Sequence, residues 1–257
     1  MFNDEYEGKN QLYAGDISFI GSMYNEKHNL YDRLCGVNDY TKGYLDAIMK
    51  VQRSIYGYFF LEDMLKGDVL DEMMRVCPVK PNEDGVETVQ YVYANYFLAR
   101  RMATDERTDI LSRVGRELGR ENKINLYTPD ASVRFINVNN KGTVDYYNEM
   151  PYVFRNSRIN LNITLRSIKS GIPLRCMDIC GAGGFLLSNY QEDLYDVFVP
   201  GEDMVIYDSI DDLITKCKYY LSHDVERRQI AQNGFGKIEE KHTYDVRFEE
   251  IFNMVFN

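Results

Sequence analysis

The chain has 257 residues, 44% of them hydrophobic, and a formal net charge of −10, enough for one well-buried core or a core with an appendage. That acidic excess excludes the broad cationic grip a duplex nucleic acid needs, yet leaves room for a small anion held by a local cluster of positive charge. No apolar run approaches the roughly 20 residues needed to span a bilayer, and the start MFNDEYEGKN has no basic segment leading into an apolar one. The five cysteines lack metal-type spacing, which fits a reducing, cytoplasmic setting.

Residues 1–13 are polar and without period, and read as a linker before a domain spanning 14–257. Asp16–Ile20 is a short apolar strand stopped by Gly21-Ser22 and followed by a helix over Asn29–Cys35. Within 40–105, LDAIMKVQRSIYGYFFLEDML and VQYVYANYFLARRMA repeat apolar residues at three- and four-residue spacing, the helical period. The loop VCPVKPNEDG separates them. This block predicts a helical insertion. Helix continues over Asp109–Leu118, strands are expected at Lys123–Tyr127 and Val133–Val138, and a helix at Tyr146–Asn156. Strands at 159–163, 185–188 and 204–207 then alternate with helices, the mark of parallel βαβ units. Ser209 to Asp212 reads as a capping box. The helix capped by Asp224 is expected to stop at Gly234, and His242–Phe256 supplies the last. The fold class is therefore α/β, with an open, Rossmann-like parallel sheet and helices on both faces.

The stretch Ile159–Asn189 carries the most chemistry. It reads as strand, polar loop, helix, glycine turn and strand, the layout that holds a phosphorylated nucleotide at the carboxyl edge of a parallel sheet. Gly171 and Pro173 mark a helix start, whose free N–H groups and partial positive charge favour a pyrophosphate. Arg166 and Arg175 add charge-assisted donors for the same phosphates. Asp178, one turn on, is placed to accept both hydroxyls of a ribose, and Gly181, Gly183 and Gly184 allow close backbone approach. Spacing alone equally allows Arg175 and Asp178 to pair on the helix surface. Gly21 and Ser22, after the first strand, and Asn189, after a later one, are further candidate donor contacts. Tyr127 and Thr128 are candidates for a base pocket, and His28 for the cleft. No Asp-x-Asp occurs in the sequence, so no metal is expected, and phosphate charge would be balanced by arginine and helix dipole.

The segments NLNITLRSIKSGIPLRCMDICGAGGFLLSNYQEDLYDVFVPGED, IYDSIDDL, KYYLSHDVERRQIAQNG and HTYDVRFEEI, in that order, resemble the glycosyltransferase-like domain of the spore maturation protein CgeB family, a branch of the group 1 glycosyltransferases. Upstream, DISFIGSMYNEK resembles that family's entry into the domain. The resemblance implies one half of a GT-B enzyme, the half that binds a nucleotide-diphosphate sugar as substrate, with no further cofactor. Asp178 takes the place of the relatives' ribose-binding Glu. Ser170 stands where they carry a second Glu near the transferred sugar, which puts sugar contacts and stereochemistry outside the carry-over. Only one sheet's worth of βα units is legible, so an N-terminal acceptor domain is expected to be missing from this chain. The catalytic residues stay unassigned. The alternatives are a non-catalytic nucleotide-binding or assembly module and, less well matched because its glycine turn follows a helix, a sugar-nucleotide epimerase.

Overall fold

The computed structural model describes residues 7–25, 29–82, 85 and 87–256, so His28 lies outside the described residues. In chain order the elements are α1 Glu7–Tyr13, β1 Gly15–Ile20, α2 Asp39–Arg53, α3 Leu61–Met64, α4 Gly67–Val76, α5 Val89–Val92, a π-helical turn Tyr93–Leu98, and α6 Ala99–Leu118. There follow β2 Ile124–Tyr127, β3 Val138–Asn140, α7 Met150–Asn156, β4 Ser157–Asn162, α8 Leu174–Gly181, β5 Leu186–Asn189, β6 Val205–Tyr207, α9 Ile210–Ser222, α10 Asp224–Lys241 and α11 Tyr244–Phe256. The chain divides into two compact units. One comprises 1–21, 112–163 and 171–257, and the other 22–111 and 164–170.

The first unit is built on one six-stranded sheet in the order β3-β2-β1-β4-β5-β6, with every pairing parallel. Ile17, Leu126, Ile159 and Leu187 are at most 1% exposed, as expected where helices cover both faces of a parallel sheet. One face carries α7 and α8, whose Val153, Phe154, Cys176 and Ile179 join Ile20, Tyr127 and Leu186 in a single core. Alternate strand residues point to the other face, and α9 packs on β4 and β6 there. A polar row crosses the buried centre, with Asn125, Ser18 and Asn160 in register on β2, β1 and β4. Ser18 Oγ donates to Asn160 Oδ1 at 2.8 Å, and Asn160 Nδ2 donates to the Phe154 carbonyl at 2.9 Å, which pins α7 to the sheet.

In the second unit every regular element among the described residues is helical. Leu45, Leu61, Leu65, Met73, Tyr93 and Leu98 form its buried core. Gln52, fully buried, accepts from the Phe60 N–H and donates to the Tyr58 carbonyl, both at 2.8 Å, so one amide organises the turn that follows α2.

The structure moves several boundaries. The expected strand 133–138 is a loop until Val138, because Asp130 Oδ1 accepts from the Ser132 N–H in a local turn and Asn137 sits at φ +56°. The helix expected over Asn29–Cys35 is one 3₁₀ turn, Leu30–Leu34, with Asn29 accepting from the Tyr31 N–H. Helix α7 begins at Met150 rather than Tyr146, since Asp145 Oδ1 takes the Tyr147 and Asn148 N–H groups into a separate turn. Gly234 does not end α10, which runs on to Lys241. A Cβ there would lie 2.5 Å from the Asp203 carbonyl oxygen, so glycine permits a close backbone crossing instead. The segment read as a linker contains α1, whose Tyr13 is buried and donates to Glu149 at 2.6 Å.

Candidate functional site

The order of the strands locates the crevice. Connections run in opposite directions from β1 and β4, and in open α/β sheets such a switch point opens a ligand crevice outside the strands' carboxyl ends. Gly21 follows β1 there, but its N–H is already committed to the Tyr127 carbonyl at 3.0 Å. Asn189 closes β5 and is buried, beside Ser188 and Asn162, whose side chains bond at 3.0 Å. Thr128, just past β2, is 1% exposed and its Oγ1 has no partner among the described residues.

Helix α8 begins at Leu174, with Pro173 as its N-cap and no side chain capping its first N–H groups. Arg175 lies in that first turn and reaches back to β1, where its Nη1 donates to the Ile20 carbonyl. The guanidinium stands 5.7 Å from the centre of the Phe154 ring. Burial disfavours its charge and lowers its pKa, and its Nε has no hydrogen-bond partner among the described residues.

Asp178, half-buried one turn later, does not pair with Arg175 but accepts the Tyr146 hydroxyl at 2.8 Å. Burial raises the Asp178 pKa, against the lowering effects of Tyr146 and Arg175. Tyr146, shifted by burial and by Asp178 to about 12, stays protonated and donating. The carboxylate opens into a pocket of about 630 Å³, walled by Tyr146, Tyr147, Phe154, Met177, Tyr244 and Phe248. An aromatic cavity with one carboxylate at its wall suits a flat heterocycle carrying a diol. His242 also lines it, with a pKa lowered by burial and by Arg247.

The other candidates have different surroundings. Gly171 has φ +88°, and its N–H donates to Asp193 Oδ2, so a carboxylate of the chain occupies that donor. Gly183 and Gly184 stand at the far end of α8. The Gly183 N–H bonds the Cys180 carbonyl and the Gly184 N–H bonds that of Ile179, both at 2.9 Å, a Schellman stop with Gly183 at φ +76°. In the helical unit, Arg166 and Glu106 form an ion pair at 2.6 Å with both side chains 5% exposed. The same guanidinium lies 3.3 Å over the Tyr56 ring and donates to the Arg53 carbonyl at 3.0 Å. Ser22, also in that unit, accepts from the Tyr24 N–H at 2.9 Å, and its carbonyl takes a bond from Arg107. Tyr146 and Asp193, the direct partners of two candidates, were not legible in advance. The only signal for Asp193 was its place in the loop after a parallel strand.

A family model described as glycosyl transferase-like matches residues 100–253, more than half of the sequence. The chain belongs to the glycosyl transferase-like family. The matched span holds β2 to β6 and both Arg175 and Asp178. Among solved structures, the chain is similar to TarM, at 13% identity and a TM-score of 0.48 over 60% of this chain and 32% of TarM. It is also similar to sucrose-phosphate synthase from Thermosynechococcus elongatus, at 12% identity and a TM-score of 0.45 over 59% of this chain and 43% of that one. The chain thus spans less than half the length of either. No curated protein matches the sequence. Among the described residues no helix is long and apolar enough to cross a membrane.

Proposed function

We propose that this chain is the donor-binding half of a GT-B glycosyltransferase that takes a nucleotide-diphosphate sugar. Within the glycosyl transferase-like family, the finer placement beside the CgeB proteins rests on the segments quoted above. The observation that carries the reading is the division of labour along the first turns of α8. Arg175 brings positive charge to the end of β1 beside an uncapped helix start, where a diphosphate is favoured. Asp178 presents a carboxylate with one oxygen held by Tyr146 and the other without a bond among the described residues, available to ribose hydroxyls at the wall of an aromatic pocket sized for a nucleoside. With a single parallel sheet among the described residues, the reading assigns donor binding to this chain rather than the whole transfer. Transfer needs an acceptor held against the donor and water excluded from both.

Calorimetric titration of the chain with UDP, GDP and their sugars tests this, with Arg175→Ala and Asp178→Ala beside the wild type. One nucleotide series should bind, and each variant should bind at least tenfold more weakly, from loss of a charge-assisted contact of about 1.5–3 kcal/mol. A wild type indifferent to every nucleotide favours the second reading, a non-catalytic assembly module. One feature supports that alternative: α11 lines up Phe248, Phe252 and Phe256, neighbouring ring centres 6.4 and 5.9 Å apart, along a face where each is at least 54% exposed.

A further inference from the structure

The opposite edge of the same sheet carries a second pocket. It has a volume of about 440 Å³ and lies where β4 begins, β5 follows its glycine turn and α10 starts. Four arginines line it: Arg155 at the end of α7, Arg158 in β4, and Arg227 and Arg228 in the first turns of α10. Two carboxylates answer three of them. Asp224 meets Arg227, Arg228 at 2.8 Å and Arg158 at 3.4 Å, and Asp16 meets Arg158 at 3.2 Å. Arg158, Arg227 and Arg228 against Asp16 and Asp224 are three guanidinium groups against two carboxylates, a local excess of one positive charge in a chain whose net charge is −10.

Two lining groups also have spare donors. Arg227 is 95% buried (5% exposed), and its Nη1 has no hydrogen-bond partner among the described residues. Ser157, equally buried, has no hydrogen bond to its Oγ among the described residues. Asp224 answers the charge of Arg227, but leaving a buried guanidinium N–H without an acceptor still costs free energy. An anion with several acceptor oxygens would satisfy both groups, and guanidinium matches the phosphoryl group in shape as well as charge. The start of α10 adds its partial positive charge. The remaining wall is small and uncharged, with Gly183, Phe185 and Ala231, so the space beyond the arginines suits a compact body rather than an extended polyanion.

We propose that this amino-edge pocket is a binding site for a small phosphomonoester, separate from the carboxyl-edge site of Arg175 and Asp178. It does not depend on the nucleotide reading, because it shares no residue with that site.

The test is titration of the whole chain, at matched ionic strength, with glucose 6-phosphate, inorganic phosphate and glucose. Glucose 6-phosphate should bind saturably and glucose should not. Equal binding of inorganic phosphate would support the site and assign recognition to the phosphoryl group alone. The double variant Arg155→Ala/Arg228→Ala should weaken binding at least tenfold, and Ser157→Ala severalfold. Arg155 and Arg228 are exposed, so the double variant should keep its thermal midpoint, and its titration with nucleotides should match the wild type. The proposal is overturned if neither phosphate compound binds saturably, or if binding is unchanged in the double variant. It is equally overturned if Arg175→Ala abolishes the phosphate binding, which would place the ion at the other edge.

Discussion

Arg166 and Arg175 stand nine positions apart, and before folding they look interchangeable, two cations flanking one helix start. The fold treats them oppositely. Arg166 is enclosed with its own carboxylate, Glu106, under an aromatic ring and against backbone carbonyls. Arg175 has no carboxylate within bonding distance among the described residues and spends one nitrogen on a strand-end carbonyl. A buried cation matched by a buried anion is internal architecture. One left unmatched at the carboxyl edge of a parallel sheet is where the proposed donor phosphates would be held.

The comparison can be broken first at Arg166, where the largest effect is expected. Arg166→Met or Glu106→Gln alone strands a partner in the interior and should cost about 3–5 kcal/mol in chemical denaturation. Arg166→Met with Glu106→Leu should recover much of that, since replacing both ends of a buried pair by apolar groups is often close to neutral. A loss under 1 kcal/mol for either single change would show that the pair is not the anchor described. At Arg175 the ordering should invert. Arg175→Ala should change denaturation little while costing nucleotide affinity about 1.5–3 kcal/mol by calorimetry.

The glycine turn sharpens the same distinction at lower amplitude. At Gly184 an added Cβ would lie 2.7 Å from the Phe154 carbonyl oxygen and 3.1 Å from that of Ile179, both backbone atoms with little room to yield. Gly184→Ala should therefore destabilise by ~1–3 kcal/mol. At Gly183 nothing lies within 4 Å of the added atom, and only its φ of +76° resists, so Gly183→Ala should cost about 1 kcal/mol. If these glycines act as a helix stop, residual nucleotide affinity in both folded variants should match the wild type. Affinity lost out of proportion to stability would return them to the donor site.

How far the sequence reached follows the range of the interactions involved. Five of the six strands were legible because each is a short apolar run between turn residues, and their parallel pairing followed from the alternation with helices; β3, Val138–Asn140, is too short and polar to announce itself. Helical period likewise showed through in 40–105. That Arg175 and Asp178 lie one turn apart on the same helix was legible because helix spacing sets which neighbours share a turn; their role as donor contacts is the proposal. Arg166 was not, because Glu106 lies 60 positions away and no local pattern announces a pair of that separation. The structural part played by the glycines was hidden for a related reason. A Gly-x-Gly-Gly turn serves a phosphate, a helix stop or a backbone crossing, and only the position of the Phe154 carbonyl distinguishes them. The amino-edge arginines escaped notice because three separate elements contribute them.

The smallest effect concerns Asp178, and its sign is the informative part. Burial raises its pKa in the folded chain above the ordinary carboxylate value, outweighing the Tyr146 hydrogen bond and the Arg175 charge that pull it down. The folded state therefore binds this proton more tightly than the unfolded chain does. Ionising Asp178 above its folded pKa costs stability, and the cost fades as pH falls through that value toward the unfolded one. Asp178→Asn keeps an acceptor for Tyr146 and removes the charge. The variant should thus be slightly more stable than the wild type at pH 7, by less than any change above, with the gap closing near pH 4 in paired denaturation curves. It should at the same time lose nucleotide affinity, because a neutral amide is a weaker acceptor for ribose hydroxyls than a carboxylate. A site that becomes more stable and less able to bind on losing one charge is a site whose charge is kept for a ligand. If Asp178→Asn were instead less stable at pH 7, the carboxylate would be serving the fold through Tyr146 and Arg175. It would then belong with Arg166 on the other side of the comparison.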